Sequence, residues 1–252
     1  MLKITCLFVV LLSIAHHGFS SSSNPLPFQI GEKLEYNLSW GFIPVGTAIL
    51  EVQSPPNLDD EQYLQVKFSV RTNSFADAFY KVRTTIESTV TSDFSKSIIY
   101  RKSQEEGSTK KQIVVKFDYD QNKAVYTEGG KVRSQITIPN QVFDPLSIAY
   151  FFRLQQLLPN QKTVLPTCDG KSFREIIVRT AKKKKISVPA GKYYAIETIP
   201  EMQNLRGVFK KSPDGILRVW YSLDERRLPV KISSKVVVGS FKAELTKSSG
   251  RK

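Results

Sequence analysis

Histidine and cysteine are almost absent from this chain, which has two of each among 252 residues. His16, His17 and Cys6 all lie in a first segment that has the features of a secretory signal peptide. That segment has a short basic start, the apolar run ITCLFVVLLSIA, and small residues at Gly18 and Ser20. We therefore predict cleavage after Ser20 (residues 1–20 removed), which leaves a mature chain with no histidine and one cysteine.

This scarcity excludes several classes of function from the predicted mature chain. Without histidine, it cannot form a Ser-His-Asp or Cys-His catalytic arrangement, or a zinc site built on histidine and cysteine. Cys168 has no partner for an internal disulfide, and we interpret it as a buried apolar side chain rather than a redox site. The sequence predicts no metal and no cofactor. Since no later segment resembles a transmembrane helix, we expect the mature protein in the periplasm.

Acidic residues are fewer than basic ones, with 23 Asp and Glu against 37 Lys and Arg, a net charge of +14. Removal of Lys3 with the signal peptide leaves 36 basic against 23 acidic side chains. Such a charge favours anionic partners such as phospholipid head groups, lipopolysaccharide or acidic polymers. Nucleic acid is not expected for an exported protein. A solvated basic surface with no specific partner is the alternative.

Short runs of β-branched and aromatic residues recur after Phe28, separated by turn sequences. Most connections are too short for a crossover helix, so we predict antiparallel pairing. The predicted strands cover residues 33–40, 45–52, 63–71, 82–91, 97–102, 112–119, 123–127, 132–138, 163–166, 173–180, 184–188, 193–199, 217–223, 230–237 and 240–246. We expect one β-rich domain over residues 28–247, between a flexible leader at 21–27 and a flexible tail at 248–252.

Two segments depart from the strand pattern. The stretch NSFADAFY (73–80) predicts one or two helical turns, with Asn73 or Ser74 as N-cap. The stretch DPLSIAYFFRLQQLLP predicts a helix over residues 144–158 with Asp144 as N-cap, and Arg153 is the one charged residue that follows. A helix that is apolar on most sides must be surrounded. We therefore predict an all-β fold with one substantial helix, a strongly curved antiparallel sheet forming an open or spiral barrel around it; a helix on a sandwich face is the alternative.

Several longer segments follow one another in a characteristic order. They are GEKLEYNLSWGFIPVGTAILEV, FDPLSIAYFFR, CDGKSFREIIV, ISVPAGKYYAIETIP, RVWYSLDERRLPVKI and VGSFKAEL. Together they resemble an uncharacterised bacterial exported envelope family, domain of unknown function 3108, over residues 28 to about 247. The resemblance implies a β-rich envelope protein and supplies no catalytic residues. By fold-level analogy, it also implies a curved sheet of the kind that carries or senses lipids.

The link between the first two predicted strands is unusually apolar. Phe42, Ile43 and Val45 follow Gly41 in the sequence WGFIPVG, although turns are normally polar. These side chains could line the mouth of a ligand cavity, or fold inward and plug one end of the barrel. A separate aromatic set could contact the same ligand or form ordinary core; its members are Trp40, Phe151, Phe152 and Trp220, with Tyr150 and Tyr221 beside them.

Four consecutive lysines, Lys182, Lys183, Lys184 and Lys185, lie between two predicted strands. We predict that this lysine tract contacts an anionic membrane surface, helped by a second basic hairpin at residues 209–218. The alternative is a solvated hairpin tip that discourages edge-to-edge aggregation.

The function best supported by the sequence is a non-enzymatic, periplasmic envelope protein that binds a lipid-like or amphipathic component. The ligand would lie between the 144–158 helix and the concave sheet. An envelope scaffold that has a closed core and binds another protein is the second hypothesis. A carboxylate-dependent hydrolase is the third, although Asp144, Asp169 and Asp224 fit capping and turn roles better.

Overall fold

Alternating apolar residues produce long antiparallel strands throughout the chain. The computed structural model describes residues 26–56, 58, 62–201, 216–236 and 239–250. The strands are β1 (Lys33–Trp40), β2 (Ile43–Gln53), β3 (Tyr63–Thr72), β4 (Val82–Thr91), β5 (Ser97–Glu106), β6 (Thr109–Asp118), β7 (Lys123–Glu128), β8 (Lys131–Thr137), β9 (Lys162–Cys168), β10 (Phe173–Val188), β11 (Gly191–Pro200), β12 (Ile216–Ser222), β13 (Pro229–Val236) and β14 (Gly239–Ser249). The helices are α1 (Ser74–Asp77) and α2 (Ser147–Leu154).

The strands form a single sheet in the order β8-β7-β6-β5-β4-β3-β2-β1-β14-β13-β12-β11-β10-β9. Each pair of neighbours is antiparallel, so two meanders, β1–β8 and β9–β14, meet where β1 pairs with β14. The sheet curves strongly and does not close, because β8 and β9 remain its two edges. The prediction of an antiparallel, open barrel-like sheet is confirmed.

Helix α2 joins the two meanders and packs against one face of the sheet, which we call the inner face. Its Tyr150 is completely buried and packs edge-on against the Phe28 ring, 4.9 Å away. On the other meander, the Tyr221 hydroxyl donates a 2.9 Å hydrogen bond to the Ala149 carbonyl. No residue of α2 is exposed, which confirms the prediction of a surrounded helix.

The predicted helix over residues 144–158 was too long, because the structure has a helix only at Ser147–Leu154. Asp144 nevertheless holds its first turn, since its Oδ1 accepts hydrogen bonds from the backbone of Leu146 and Ser147 at 2.8 and 3.1 Å. Gln155 is already extended. The chain then buries Leu157 in a second, smaller core cluster, which requires it to leave the helical path.

A buried ion pair fixes the other end of α2. Arg153 has no exposed surface, and its Nη2 donates a 2.8 Å hydrogen bond to Glu32 just before β1. The same guanidinium donates to the Arg226 carbonyl at 2.9 Å, and Arg227 donates back to the Arg153 carbonyl. These contacts tie the helix to the start of β1 and to the turn between β12 and β13.

The lysine tract lies inside a strand, not between two strands as predicted. β10 runs without interruption from Phe173 to Val188, so two predicted strands are one. A register shift between Thr180 and Lys183 interrupts the pairing with β11. Such a bulge changes the alternation of side chains locally, which lets all four lysines stay exposed inside a strand.

The short predicted helix at residues 73–80 is present as α1, and the Asn73 side chain accepts a 2.9 Å hydrogen bond from Ala76 as predicted. The predicted signal peptide and most of the 209–218 hairpin lie outside the described residues. Of the helices in the described ranges, neither is long and apolar enough to span a membrane.

Candidate functional site

A cavity of about 380 Å³ lies between α2 and the inner face of the sheet. Its volume falls within the range of small-molecule sites, which are mostly apolar with a few polar groups. Most of its lining is apolar, and it comes from both meanders and from the helix. The lining residues are Leu50, Phe68, Ile86, Tyr100, Lys102, Pro145, Leu146, Ile148, Ala149, Thr167, Asp169, Ser172, Arg174, Ile176, Leu217, Val219, Tyr221, Pro229 and Ile232.

Strand register explains how distant residues form one apolar wall. Leu50 pairs with Phe68, and Phe68 pairs with Ile86, across β2, β3 and β4. The next partner in this row is Lys102 of β5. Because directly paired residues place their side chains on the same face, the row brings three apolar side chains and one lysine into the cavity.

The second wall follows the same rule on the other meander. Val219 of β12 pairs with Ile232 of β13, and both line the cavity. Tyr221 lies two residues along β12 and also faces inward, where its hydroxyl is bonded to the helix backbone. Ile148 and Ala149 of α2 line the cavity on the side opposite to the sheet and cover the space between the two walls.

Charged side chains also line the cavity. Lys102 of β5 lies on the inner face, and burial lowers the pKa of its ammonium group below the usual value. Arg174, near the start of β10, contributes a second cation. Asp169 lines the cavity too, but its Oδ1 accepts hydrogen bonds from the backbone of Lys171 and Ser172 at 2.9 and 2.8 Å. An apolar space lined by two cations suits a molecule with an apolar body and an anionic head.

The structure does not bring together the residues that the sequence suggested as a ligand site. Trp40, Phe42 and Ile43 lie at a two-residue turn between β1 and β2, where Phe42 is 98 % exposed. The turn is therefore not an inward plug. Phe152 is buried in the second core cluster with Tyr221, and Phe151 packs beside it.

Trp220 alternates with Val219 and Tyr221 along β12 and packs into the main core cluster. It does not line the cavity. Lys102, which does, was missed by the sequence analysis. The signal was present in β5, because Lys102 lies two residues after Tyr100 and so shares the face of a buried aromatic residue.

The lysine tract lies outside the cavity lining. Its Lys184 is 3.6 Å from Glu197, and Lys185 lies over the Tyr194 ring at 5.9 Å. Tyr194 is followed by Ala195, whose partner Ser222 is the last residue of β12. The tract is thus near the end of the sheet opposite to Ile216, where β12 begins.

Two groups that could in principle take part in chemistry, the Cys168 thiol and the Asp224 carboxylate, are held in structural roles. Cys168 is buried, and burial raises the pKa of its thiol to about 11, which keeps it uncharged. Asp224 accepts hydrogen bonds from Ser222 and the Arg226 backbone within a turn, as predicted. Within the described ranges, His, Cys, Asp and Glu form no group that could hold a metal ion.

Comparisons with known proteins agree with this architecture. A β-barrel-like protein of Brucella abortus, from the domain of unknown function DUF1849, has a similar structure with a TM-score of 0.55. It is 11 % identical, and the match covers 88 % of this chain and 98 % of that one, so it shows the fold alone. A Bacteroides fragilis NCTC 9343 protein with a YmcC-like fold gives a TM-score of 0.33 at 11 % identity over 89 % of this chain and 98 % of that one, too low for an argument.

No curated protein matches this chain. The model of one family, described as "Protein of unknown function (DUF3108)", matches residues 35–246, which confirms the resemblance drawn from the sequence. The match extends from β1 into β14 and includes the strands and the helix that build the cavity. The chain therefore belongs to the DUF3108 family.

Proposed function

We propose that this protein is exported to the bacterial envelope and binds an amphipathic molecule there without acting as an enzyme. The apolar part of the ligand lies in the cavity beneath α2, and its anionic head lies beside Lys102. The observation that carries the proposal is the cross-strand row in which Leu50, Phe68 and Ile86 lead to a half-buried lysine.

The cost of placing Lys102 in this position supports a binding role. Burial lowers the pKa of Lys102, which means that the folded protein disfavours its charged form. An anionic ligand head would restore the interactions that the ammonium group has lost. A lysine needed only for solubility would instead occupy the outer face, as Lys116 does.

The apolar walls are large enough to give useful affinity. Transfer of ~300 Å² of apolar ligand surface from water into the cavity stabilises the complex by about 7 kcal/mol before association costs. A charge-assisted hydrogen bond to the head adds about 1.5–3 kcal/mol. Together these terms suit a carrier or sensor that must also release its ligand.

The direct test is native mass spectrometry of the full chain purified from its own envelope under mild conditions. We expect an added mass that disappears on denaturation and extracts as a lipid. A bare chain that also fails to bind an anilinonaphthalene sulfonate probe in a saturable manner would contradict the proposal. Interest would then turn to a protein-binding scaffold with a closed core.

Two lysine variants test the position of the head group. Lys102→Gln should weaken binding of the sulfonate probe about tenfold, because it removes a charge-assisted hydrogen bond in a partly dry site. Lys116→Gln is the matched control, since Lys116 is an exposed lysine on the neighbouring strand β6. Equal affinities for the two variants would place the anionic head elsewhere.

A further inference from the structure

Exposed apolar side chains are concentrated at one end of the sheet. Of the large hydrophobic residues exposed in the described chain, half lie where β1, β3, β5 and β13 end and β2, β4, β6 and β14 begin. We call them the aromatic rim; its members are Trp40, Phe42, Ile43, Phe75, Phe79, Tyr80 and Phe241. Such clustering is unusual, because exposed apolar residues on a protein surface are normally scattered.

The rim is assembled from separate parts of the chain. Trp40 stacks on Phe241, with ring centroids 6.3 Å apart, where β1 pairs with β14. On the other side of the turn, Asn73 donates a 2.9 Å hydrogen bond from its side chain to the Pro44 carbonyl. This bond joins the turn between β1 and β2 to α1, whose Phe75 ring lies 5.5 Å from that of Phe79.

Packing holds the rim in place although its side chains are exposed. Gly239 has a φ of +124°, and a Cβ there would lie 2.4 Å from the Trp40 Nε1. Tyr80 lies close to Gly107, where a Cβ would be 2.7 Å from its ring. Glycine at both positions leaves room for the aromatic rings against the turns. The fold thus positions these rings while leaving their outer surfaces in water.

Positive charge surrounds the rim. The Lys242 ammonium lies 5.4 Å from the centre of the Phe42 ring. Cations outnumber carboxylates within three residues of these strand ends and in α1 and its flanks. The seven cations are Arg71, Lys81, Arg83, Lys110, Lys111, Lys235 and Lys242, and the three carboxylates are Asp77, Glu105 and Glu106. Two of these carboxylates are already paired with rim cations, Asp77 with Arg83 and Glu105 with Lys81.

We propose that the aromatic rim is a docking surface for an anionic lipid bilayer. Aromatic side chains favour the boundary between head groups and acyl chains, and lysines beside them favour anionic lipids. The excess of cations selects a negatively charged membrane rather than the apolar patch of another protein. The proposal does not depend on the cavity or its ligand. It assigns membrane contact to this end of the sheet rather than to the lysine tract.

Vesicle co-sedimentation of the full chain tests the surface. We expect binding to vesicles of phosphatidylcholine with about 30 % phosphatidylglycerol, weaker binding in high salt, and little binding to phosphatidylcholine alone. The Phe42→Ser/Phe79→Ser variant should bind less, by on the order of tenfold for each aromatic residue removed. Lys242→Gln should lose about fivefold on anionic vesicles only.

Matched variants make the result specific to the rim. Phe173→Ser/Tyr194→Ser removes two exposed aromatic residues elsewhere, and Lys182→Gln/Lys183→Gln removes two lysines of the tract. Both controls should bind anionic vesicles like the parent. A loss equal to that of the rim variant, in either control, would overturn the proposal.

Tryptophan fluorescence gives an independent measurement. The chain has two tryptophans, and Trp220 is buried whereas Trp40 is 45 % exposed, so quenching by brominated lipid reports on the rim. We expect quenching that is lost in Trp40→Phe while co-sedimentation is retained. Sedimentation without quenching would overturn the proposal. So would a parent chain that self-associates without vesicles and becomes monomeric in the Phe42→Ser/Phe79→Ser variant.

Discussion

The cavity beneath α2 and the aromatic rim are both apolar, yet the first is covered by a helix and the second is exposed to solvent. The cavity is covered by a helix that is anchored at both ends, and its walls are set by strand register. The rim lies at turns and strand ends, where nothing in the described chain covers Phe42. The difference teaches that the interior surface depends on a helix held over it by tertiary contacts, whereas the rim needs no covering element.

The two surfaces are nevertheless joined by one row of residues. Phe241 of the rim pairs with Ser234, and Ser234 pairs with Leu217, which lines the cavity. Directly paired residues share a face, so the inner face is continuous from the rim to the cavity. A protein that docks by its rim would therefore present this end of the cavity toward the membrane.

The largest effect is expected where the cover of the cavity is anchored. Arg153→Met should lower the free energy of unfolding by about 3–5 kcal/mol, because it leaves Glu32 buried without its partner. Urea unfolding followed by circular dichroism measures this loss. The Arg153→Met/Glu32→Met double variant is the control and should recover much of the stability, since no unpaired charge remains. A single variant that costs less than about 1 kcal/mol would show that the pair is not an anchor.

A second prediction concerns the carboxylate at the start of α2. Burial raises the pKa of Asp144, although hydrogen bonds from Ser88, Ser97 and the helix backbone oppose this effect. A raised pKa means that the folded state binds the proton more tightly than the unfolded state. The stability that protonation contributes is therefore fully present below the unfolded pKa and is lost as pH rises through the folded pKa.

Asp144→Asn removes this titration and keeps an oxygen that can accept from the helix backbone. The variant should gain stability relative to the parent as pH rises above about 3.9, the ordinary pKa of aspartate in an unfolded chain, by ~1.4 kcal/mol for each unit by which folding raises the pKa. Urea midpoints measured at increasing pH give the difference. If the parent instead became more stable than Asp144→Asn as pH rises, the fold would favour the charged carboxylate.

The smallest effect on stability is expected at the rim. Phe42→Ser should change the free energy of unfolding by less than about 0.5 kcal/mol, because the side chain has almost no buried surface to lose. Thermal unfolding of the parent and the variant compares them. A loss above ~1 kcal/mol would mean that Phe42 is covered in solution, and the contrast between cavity and rim would fail.

Much of the fold was predictable because strand signals are local. The residues of β1 and β4 were predicted without error, since alternation and flanking turns marked both ends. Errors arose where a local signal competed with a distant contact. The lysine tract suggested a break in β10, but pairing with β9 and β11 keeps the strand continuous. The apolar pattern suggested a longer α2, but the chain leaves the helix and buries Leu157 in the second core cluster.

The candidate site was less predictable than the fold. The sequence predicted a ligand between the helix and the sheet, and a cavity lies there, but the aromatic residues that it favoured do not line that cavity. Lys102 could have been predicted to face inward, because it lies two residues after Tyr100 in β5 and side chains two apart in a strand share a face. That Phe68 and Leu50 lie in the same row as Lys102 could not have been predicted, because the sequence of one strand does not specify its register with the next.

By itself, the sequence determined the alternation of the strands, the apolar character of α2, the excess of positive charge and the scarcity of histidine and cysteine. These depend on residue types and on spacing over a few positions. Only the tertiary structure decided which side chains share a cavity and which share a rim. Both surfaces combine residues far apart in the chain, and strand register and the pairing of β1 with β14 bring them together.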